Sequence, residues 1–319
     1  MKWGGVSNMV TFADPAVEAI VLANWDNGDG YFMKSEAEAV TDLGTKFKGN
    51  TEIVSFEELK YFANVQTLNM DAFNGCSSLT KVNIPHGLTA SNNSDHGVFK
   101  NCTSLVDVTF EDDSITIIPA YAFQGCSALE NITLPSSTNR IEGSAFQNCR
   151  LLTYITNWDE IAPNITFIGS SAFRDVPLDI GDRLILPKLQ TLGGPNLNTS
   201  SIQYVLDLGS ITIIPRSDAG LFSNSKTTLI ILPATLLEVG AYSLYNTNAL
   251  TTLICKAETP PTLGTGNRRL SNCTIYVPDA SVANYQAATN WSSHADRIKP
   301  ISQFATDNPT LYAEIEEYL

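Results

Sequence analysis

The sequence predicts a strand-rich α/β solenoid, a right-handed coil in which every turn contributes a short strand and a short helical turn. The first observation in favour is a repeat. The pattern Ala-Phe-x-x-Cys-x-x-Leu-x-x-Ile occurs twice between Ile117 and Ile155, and its two Phe residues, Phe123 and Phe146, lie 23 residues apart. The second observation is that the pattern recurs, with variations, over residues 67–256. A fixed period of roughly 20 to 50 residues is typical of stacked repeats.

A single repeat shows why stacking is needed. Its end, Leu-x-x-Ile-x-Leu, alternates apolar and polar residues like a half-buried strand, so Ile132 and Leu134 are expected to point inward. Pro135 then ends the strand, because proline cannot donate a hydrogen bond to a neighbouring strand. The Ala-Phe-x-x-Cys part lacks Gly and Pro, which favours a short helical turn. One repeat buries too little apolar surface to offset its ordering entropy, so several must stack and both ends need caps.

The repeats are marked along the chain by a Phe that returns every 23 to 27 residues. The clear copies contain Phe73, Phe99, Phe123, Phe146 and Phe173. Leucine-rich segments at 184–189 and 205–208 then indicate degenerate copies, and Phe222 and Leu244 mark the last two. The uneven spacing predicts loops of different length between turns that share one core.

Residues 1–66 differ from the repeats and predict a helical amino-terminal cap. Asp14 and Pro15 are typical of the start of a helix, and a second helical run begins near Ser35. A helix, an acidic glycine-containing loop and a helix resemble an EF-hand or dockerin-type loop, here one residue short at its front. The candidate calcium ligands are Asp26, Asn27, Asp29, Tyr31 through its carbonyl, and Glu36. The alternative is a helical hairpin with an acidic turn and no metal.

The two flanks of the repeats carry further predictions. Residues 51–66 have apolar residues at near-helical spacing, and Ser55 followed by Glu58 fits a capping box, so a helix is expected before the first repeat. Residues 257–304 predict a strand-helix carboxy-terminal cap, with a strand near 273–278 and a helix over 281–290 that Asp279 begins. Residues 305–319 predict a mobile or loosely helical tail.

Composition excludes several classes of partner. The 319 residues carry a net charge of −14, and an acidic surface repels the phosphates of nucleic acids and anionic lipids. Calcium, cationic patches on proteins and neutral glycans stay open as ligands. No apolar run reaches the roughly 18 residues of a membrane span, and the amino terminus lacks the apolar core of a signal peptide. Either the chain is not exported by its own signal, or it begins after a removed one.

The six cysteines have a structural explanation. Four of them occupy one repeat position, three residues after a Phe, which predicts buried free thiols: Cys76, Cys102, Cys126 and Cys149. Cys255 and Cys273 lie outside that set and could form a disulfide.

No catalytic set is apparent. The three histidines lack partners at metal-ligand spacing and are expected on the surface: His86, His96 and His294. The glycine-rich segments near residues 193 and 264 lack the context of a phosphate loop, and no Gly-x-Ser-x-Gly motif marks a nucleophile. An enzyme is not expected, and a glycan-active enzyme is the least supported of the functions considered.

The repeats resemble the BspA-like leucine-rich repeat family of bacterial surface proteins. The signature of that family is similar to Ile-Gly-x-x-Ala-Phe-x-x-Cys-x-x-Leu-x-x-Ile-x-Leu-Pro, which is seen at Ile168–Phe173 and from Ala122 to Pro135. The resemblance implies a leucine-rich repeat solenoid without shared catalytic residues, located outside the cell or on its surface. It also implies a protein or glycan partner on a host or neighbouring cell, since the family includes adhesins. A monomer that does not insert into membranes is expected.

Outward-facing strand positions are the candidates for binding. They form two rows: Lys81, Asp107, Asn131 and Tyr154, then Asn83, Thr109, Thr133 and Thr156. Trp158, just beyond a strand, adds an aromatic candidate. Polar side chains in rows on rigid strands can form a contact surface. The alternative is that they are ordinary solvated residues.

Overall fold

The computed structural model describes residues 8–65, 68–85, 96–111, 113, 115–194, 197, 201–223 and 225–319. It divides into two compact units, Met1–Asn157 and Trp158–Leu319. Short parallel strands stack turn upon turn in each unit, which confirms the predicted strand-rich α/β solenoid. Among these residues, no helix has the length and apolar character that crossing a membrane requires.

The first unit begins with two helices, α1 (Pro15–Trp25) and α2 (Lys34–Ala39). Its strands are β1 (Ser55–Phe56), β2 (Lys81–Ile84), β3 (Asp107–Phe110), β4 (Ile117–Ile118), β5 (Asn131–Ile132), β6 (Arg140–Ile141) and β7 (Tyr154–Ile155). Strands β1, β2 and β3 pair in parallel, as do β4 with β6 and β5 with β7. From β3 onward each turn of this unit contributes two strands where the sequence predicts one, because β4 and β6 are only two residues long and leave no periodic pattern.

The second unit has a longer sheet. It begins with α3 (Trp158–Ile161) and a 3-10 helix, Ala162–Asn164. Its strands are β8 (Phe167–Ile168), β9 (Arg183–Ile185), β10 (Thr191–Leu192), β11 (Tyr204–Asp207), β12 (Ile213–Ile214), β13 (Leu229–Leu232), β14 (Glu238–Val239), β15 (Thr252–Cys255), β16 (Thr262–Leu263), β17 (Thr274–Val277) and β18 (Ile298–Pro300). Six of them form one parallel sheet in the order β18-β17-β15-β13-β11-β9, and β12, β14 and β16 form another.

A column of phenylalanine rings runs through the core of the first unit. It consists of Phe47, Phe73, Phe99, Phe123 and Phe146, all completely buried. Successive ring centroids lie 5.1, 5.2, 5.5 and 5.5 Å apart, with interplanar angles between 5° and 23°. Each turn of the coil therefore places its ring on the ring of the turn before. Buried stacked aromatics contribute large apolar areas to such interfaces.

The cysteines of the repeat position form a second column beside the rings. Their thiols donate to carbonyls one turn earlier: Cys76 to Phe47, Cys102 to Phe73, Cys126 to Phe99 and Cys149 to Phe123, at 3.0 to 3.1 Å. All four are buried and free, as predicted. Burial raises the pKa of Cys149 to about 12, so this thiol stays protonated at neutral pH. Cys255 and Cys273 are also free, so a disulfide between them is wrong for this structure.

The segment before the first clear repeat is itself a repeat. Phe47 belongs to the ring column, and Ser55 lies in β1, paired with Lys81. The helix expected over 51–66 is limited to a 3-10 helix, Glu57–Tyr61, without a side-chain cap, so the Ser55–Glu58 capping box is wrong. Glu58 instead accepts a hydrogen bond from the N–H of Ala13 at 3.0 Å. At the start of α1, Asp14 caps the helix as predicted, by accepting from the N–H of Ala16 at 2.8 Å.

The carboxy-terminal region continues the sheet as well as covering it. The strand expected near 273–278 is β17, and the expected helix is the shorter α4 (Val282–Ala287). Strand β18 then adds a further parallel strand at the edge of the sheet. Three 3-10 helices lie in this region: Arg268–Asn272, Asp279–Ser281 and Ser292–Arg297. The last residues form a 3-10 helix (Ile301–Gln303), α5 (Phe304–Asp307), α6 (Pro309–Ile315) and a final 3-10 helix (Glu316–Tyr318).

Candidate interaction face

The predicted rows of outward side chains are assembled by the strands of the first unit. Lys81 lies opposite Asp107, and Asn83 lies opposite Thr109, in the pairing of β2 with β3. Asn131 lies opposite Tyr154 in the pairing of β5 with β7. One residue beyond that pair, the hydroxyls of Thr133 and Thr156 are hydrogen-bonded at 2.5 Å. The sequence register is therefore right within each strand pair, whereas binding by these residues stays a prediction.

Most of these side chains are accessible. Asp107, Thr109, Asn131, Thr133 and Thr156 are exposed, and 51% of the surface of Tyr154 is exposed. Tyrosine offers an apolar ring and a polar hydroxyl together, which suits it to contact surfaces. Strands hold these side chains in place, so a partner would order few of them on binding.

Two of the predicted binding residues do not belong to the accessible face. Asn83 is buried, with 7% of its surface exposed, and its amide donates to Glu111 at 3.0 Å. Trp158 is 5% exposed and packs edge-on against Phe173, with ring centroids 6.4 Å apart. It is the first residue of α3, a one-turn helix that buries its apolar side. The expectation that Trp158 offers a free aromatic surface is therefore wrong.

The face is interrupted between β3 and β5. These strands belong to separate sheets, and a cleft of about 320 Å³ lies between them. Residues 106–110, 113 and 131–135 line the cleft. Asp107 and Asp113 are its charged side chains, and none of the lining residues is Lys, Arg or His. The uninterrupted Phe column lies behind it, so the interruption affects the sheet and leaves the core of the repeats intact.

The electrostatic character of this face is acidic. Lys81 is the one cation in β1, β2 and β3, and its ammonium lies 3.2 Å from Asp107 and 3.3 Å from Glu57. Hydrogen bonds to Asp107 and Glu57 raise the pKa of Lys81, which therefore stays charged. Because this cation is already shared by two carboxylates, the neighbouring Glu111 and Asp113 leave an excess of negative charge beside the cleft.

The histidines do not form a site. His96 is half-exposed and lies 2.8 Å from a carboxylate oxygen of Asp71. His294 is buried, contrary to the prediction of a surface position, and burial is the main cause that lowers its pKa. His86 lies outside the described residues.

The acidic loop of the amino-terminal region folds around its own backbone. One carboxylate oxygen of Asp26 accepts the N–H groups of Gly28 and Gly30, at 3.1 and 3.2 Å. Glu36 accepts from the N–H of Asn27 at 3.0 Å and from that of Met33 at 2.7 Å. The two glycines have φ values of 99° and 81°, which a side chain would strain.

These contacts correspond to the metal-free hairpin that the sequence offers as the alternative. Asp29 and Tyr31 are also used locally, since the Asp29 carboxylate accepts the N–H of Tyr31 at 2.9 Å. Within the described residues, no group of three or more His, Cys, Asp or Glu side chains is placed to hold a metal ion. Calcium binding by the loop stays a prediction.

Replacing Glu36 by glutamine tests both interpretations of the loop. The amide group of glutamine faces a backbone N–H with its own N–H, so we expect a loss of about 1 to 2 kcal/mol in the free energy of unfolding without calcium. Urea unfolding in a chelating buffer measures it, and an unchanged midpoint would contradict the hydrogen-bonded loop. Calorimetric titration of the full chain with calcium tests the other interpretation: heat from the native protein that Glu36→Gln removes supports binding, and no heat from the native protein ends the idea.

Comparison with known proteins places this architecture in a family. Residues 49–179 and 196–275 match the model described as BspA type leucine rich repeat region, in six copies. The chain belongs to this family. The match begins close to Phe47, in agreement with the additional repeat that the BspA-type chain shows before Phe73.

Solved structures provide more distant likenesses. A leucine-rich repeat protein from Bacteroides ovatus is 15% identical, with a TM-score of 0.40, over 92% of this chain and 90% of the other. A leucine rich cell surface protein from Faecalibacterium prausnitzii is 12% identical, with a TM-score of 0.36, over 92% and 85%. No protein with a curated description matches this BspA-type chain.

Proposed function

We propose that this chain is a non-enzymatic interaction module of a bacterial surface protein, and that it binds a protein or glycan through the exposed face of β2, β3, β5 and β7. The observation that carries the proposal is the pairing of Asn131 with Tyr154, next to the Thr133–Thr156 hydroxyl pair and the cleft. Membership of the BspA-type family supports an interaction role at the cell surface. The partner would be presented by a host or neighbouring cell.

The chemistry of the face favours neutral or cationic partners. Asp107 and Asp113 line the cleft without a cation among its lining residues, and the chain as a whole carries −14 charges. A negative face repels nucleic acid and anionic lipid, and it accelerates encounters with positive surfaces. The hydroxyl and amide groups beside Tyr154 add hydrogen bonds and an aromatic ring, the groups that a sugar or a peptide backbone needs.

Changing Asn131 and Tyr154 together to alanine tests the site. Two central contacts, one of them aromatic, are expected to account for at least about tenfold in affinity. Screening the native chain on arrays of glycans and cell-surface proteins identifies the ligand, and surface plasmon resonance then measures its affinity for both variants.

A matched control is available on another sheet. Ile213 and Glu238 also lie opposite each other on neighbouring strands and are exposed. Changing this pair to alanine is expected to leave the affinity unaltered. Full binding by the Asn131 and Tyr154 variant, or loss of binding in the control, would place the site elsewhere.

A further inference from the structure

The six-stranded sheet of the second unit carries an apolar face at the positions where the first unit carries polar rows. Ile231 lies opposite Ile254, and Ile254 lies opposite Tyr276. Leu206 and Leu229 complete this surface, which we call the apolar groove, and each of the five side chains is no more than 2% exposed. Strands with one free face normally place polar residues on it. An apolar row at these positions therefore requires a covering element.

Residues 304–319, here called the C-terminal strap, cover the apolar groove. Phe304 and Ile315 are completely buried in it. The ring of Phe304 packs edge-on against Tyr276, with centroids 5.0 Å apart. Four further side chains of the strap lie half-buried on the same surface: Leu311, Tyr312, Tyr318 and Leu319. The strap thus presents one apolar side to the sheet, as an amphipathic helix does.

Charges at the rim of the groove match the strap. Lys299 lies 2.7 Å from the Asp307 carboxylate, and Arg183 lies 3.6 Å from Glu314. Lys256 donates to the carbonyl of Tyr318 at 2.9 Å. The strap contains four acidic residues and neither Lys nor Arg. An apolar floor with a basic rim is therefore occupied by an acidic amphipathic segment.

We propose that the apolar groove is a binding site for an acidic amphipathic helix, and that the C-terminal strap occupies it as an intramolecular competitor. The helices of the strap, α5 and α6, have four and seven residues, and helices this short have little stability of their own. Only two strap side chains, Phe304 and Ile315, are completely buried. The strap consequently opens more readily than the sheet beneath it, and an open strap exposes the groove to a partner helix of the same character.

The experiment weakens the strap in the full chain and supplies its sequence in trans. With Phe304 and Ile315 both changed to alanine, the chain is expected to bind a labelled synthetic peptide of residues 304–319 at least about tenfold more tightly than the native chain does, because the competitor has lost its two anchors. A peptide carrying the same two alanines is the matched control and should not bind. Equal uptake by native and weakened chains, or none by a weakened chain that remains folded by circular dichroism, would overturn the proposal.

A charge exchange tests where the peptide lies. Arg183→Glu in the weakened chain is expected to lower the affinity for the peptide about three- to fivefold, and a peptide with Glu314→Arg should restore it. Restoration shows that the peptide lies in the groove in the orientation of the strap. Absence of any effect would contradict that placement.

Hydrogen exchange on the native chain tests the opening directly and needs no variant. The amides of α6 are expected to exchange at least about tenfold faster than those of β13 and β15, since the strap opens without the sheet. Exchange of both at the same rate would show that the strap is an inseparable part of the core, and the idea of a competitor would fail. This result is independent of the function proposed for the first unit.

Discussion

Replacing Phe123 by alanine is expected to lower the free energy of unfolding by about 3 to 5 kcal/mol. The ring of Phe123 is completely buried and lies 5.5 Å from both Phe99 and Phe146. Its removal therefore leaves a cavity that two neighbouring turns share. In a solenoid each turn is stabilised mainly by the turns on either side, so both interfaces weaken at once. Chemical denaturation followed by circular dichroism measures the loss.

Phe110 is the matched control for this prediction. It is half-buried at the cleft and meets Phe123 edge-on, with centroids 6.4 Å apart. Because much of its ring already contacts solvent, Phe110→Ala is expected to cost only about 1 kcal/mol. If both replacements cost the same, the column of rings would not be the main contact between turns.

The ring column is the part of the structure that the sequence predicts best. A Phe every 23 to 27 residues, three positions before a Cys, requires equivalent burial in each turn, and the structure shows it. The column begins one turn earlier than predicted, at Phe47. Asn50 stands there at the position of the repeat cysteine, so the pattern is incomplete although the packing is the same.

Exposure is harder to predict than register. The rows of the candidate face follow from the repeat, and their pairing is right. Asn83 and Trp158 are nevertheless buried. Their burial depends on contacts with Glu111 and Phe173, which no local pattern encodes. The cleft between β3 and β5 likewise has no signal in the sequence, because the spacing of Phe residues does not change there.

The C-terminal strap did leave a signal. The segment Leu229–Leu232 is apolar at every position and buried at every position, whereas Asn131–Ile132 exposes one of its two residues. A strand that is apolar without alternation is covered on both faces. The sequence shows that a cover is needed, and it does not show which segment provides it, since the partner residues Phe304 and Ile315 lie far along the chain.

Replacing Asn267 by alanine is expected to lower the free energy of unfolding by about 3 kcal/mol or more, because it removes three hydrogen bonds from buried backbone groups. The Asn267 side chain is 5% exposed. Its carbonyl oxygen accepts the N–H of Leu244 at 2.9 Å, and its amide donates to the carbonyls of Gly240 and Gly264, each at 3.0 Å. One side chain thus joins three backbone segments.

Water cannot readily replace these contacts, because the turns around Asn267 are packed backbone against backbone. A Cβ atom added at Gly264 would lie 2.3 Å from the nitrogen of Ala241, and one added at Gly240 would lie 2.4 Å from the nitrogen of Arg216. No space is therefore left for side chains at either glycine. The backbone groups that Asn267→Ala leaves unpaired would stay unpaired or force the turns apart.

Asn157 provides the matched comparison. Its side chain also joins a neighbouring backbone, with its oxygen 3.1 Å from the N–H of Leu134 and its amide 2.8 Å from the carbonyl of the same residue. It is half-buried, so water can replace part of what Asn157→Ala removes, and a loss of about 1 kcal/mol is expected. Asn267→Asp should be as damaging as alanine, because it directs a carboxylate oxygen at two carbonyls. Thermal and urea unfolding of the three variants decides the matter: equal losses for Asn267→Ala and Asn157→Ala would show that burial does not set the value of these bridges.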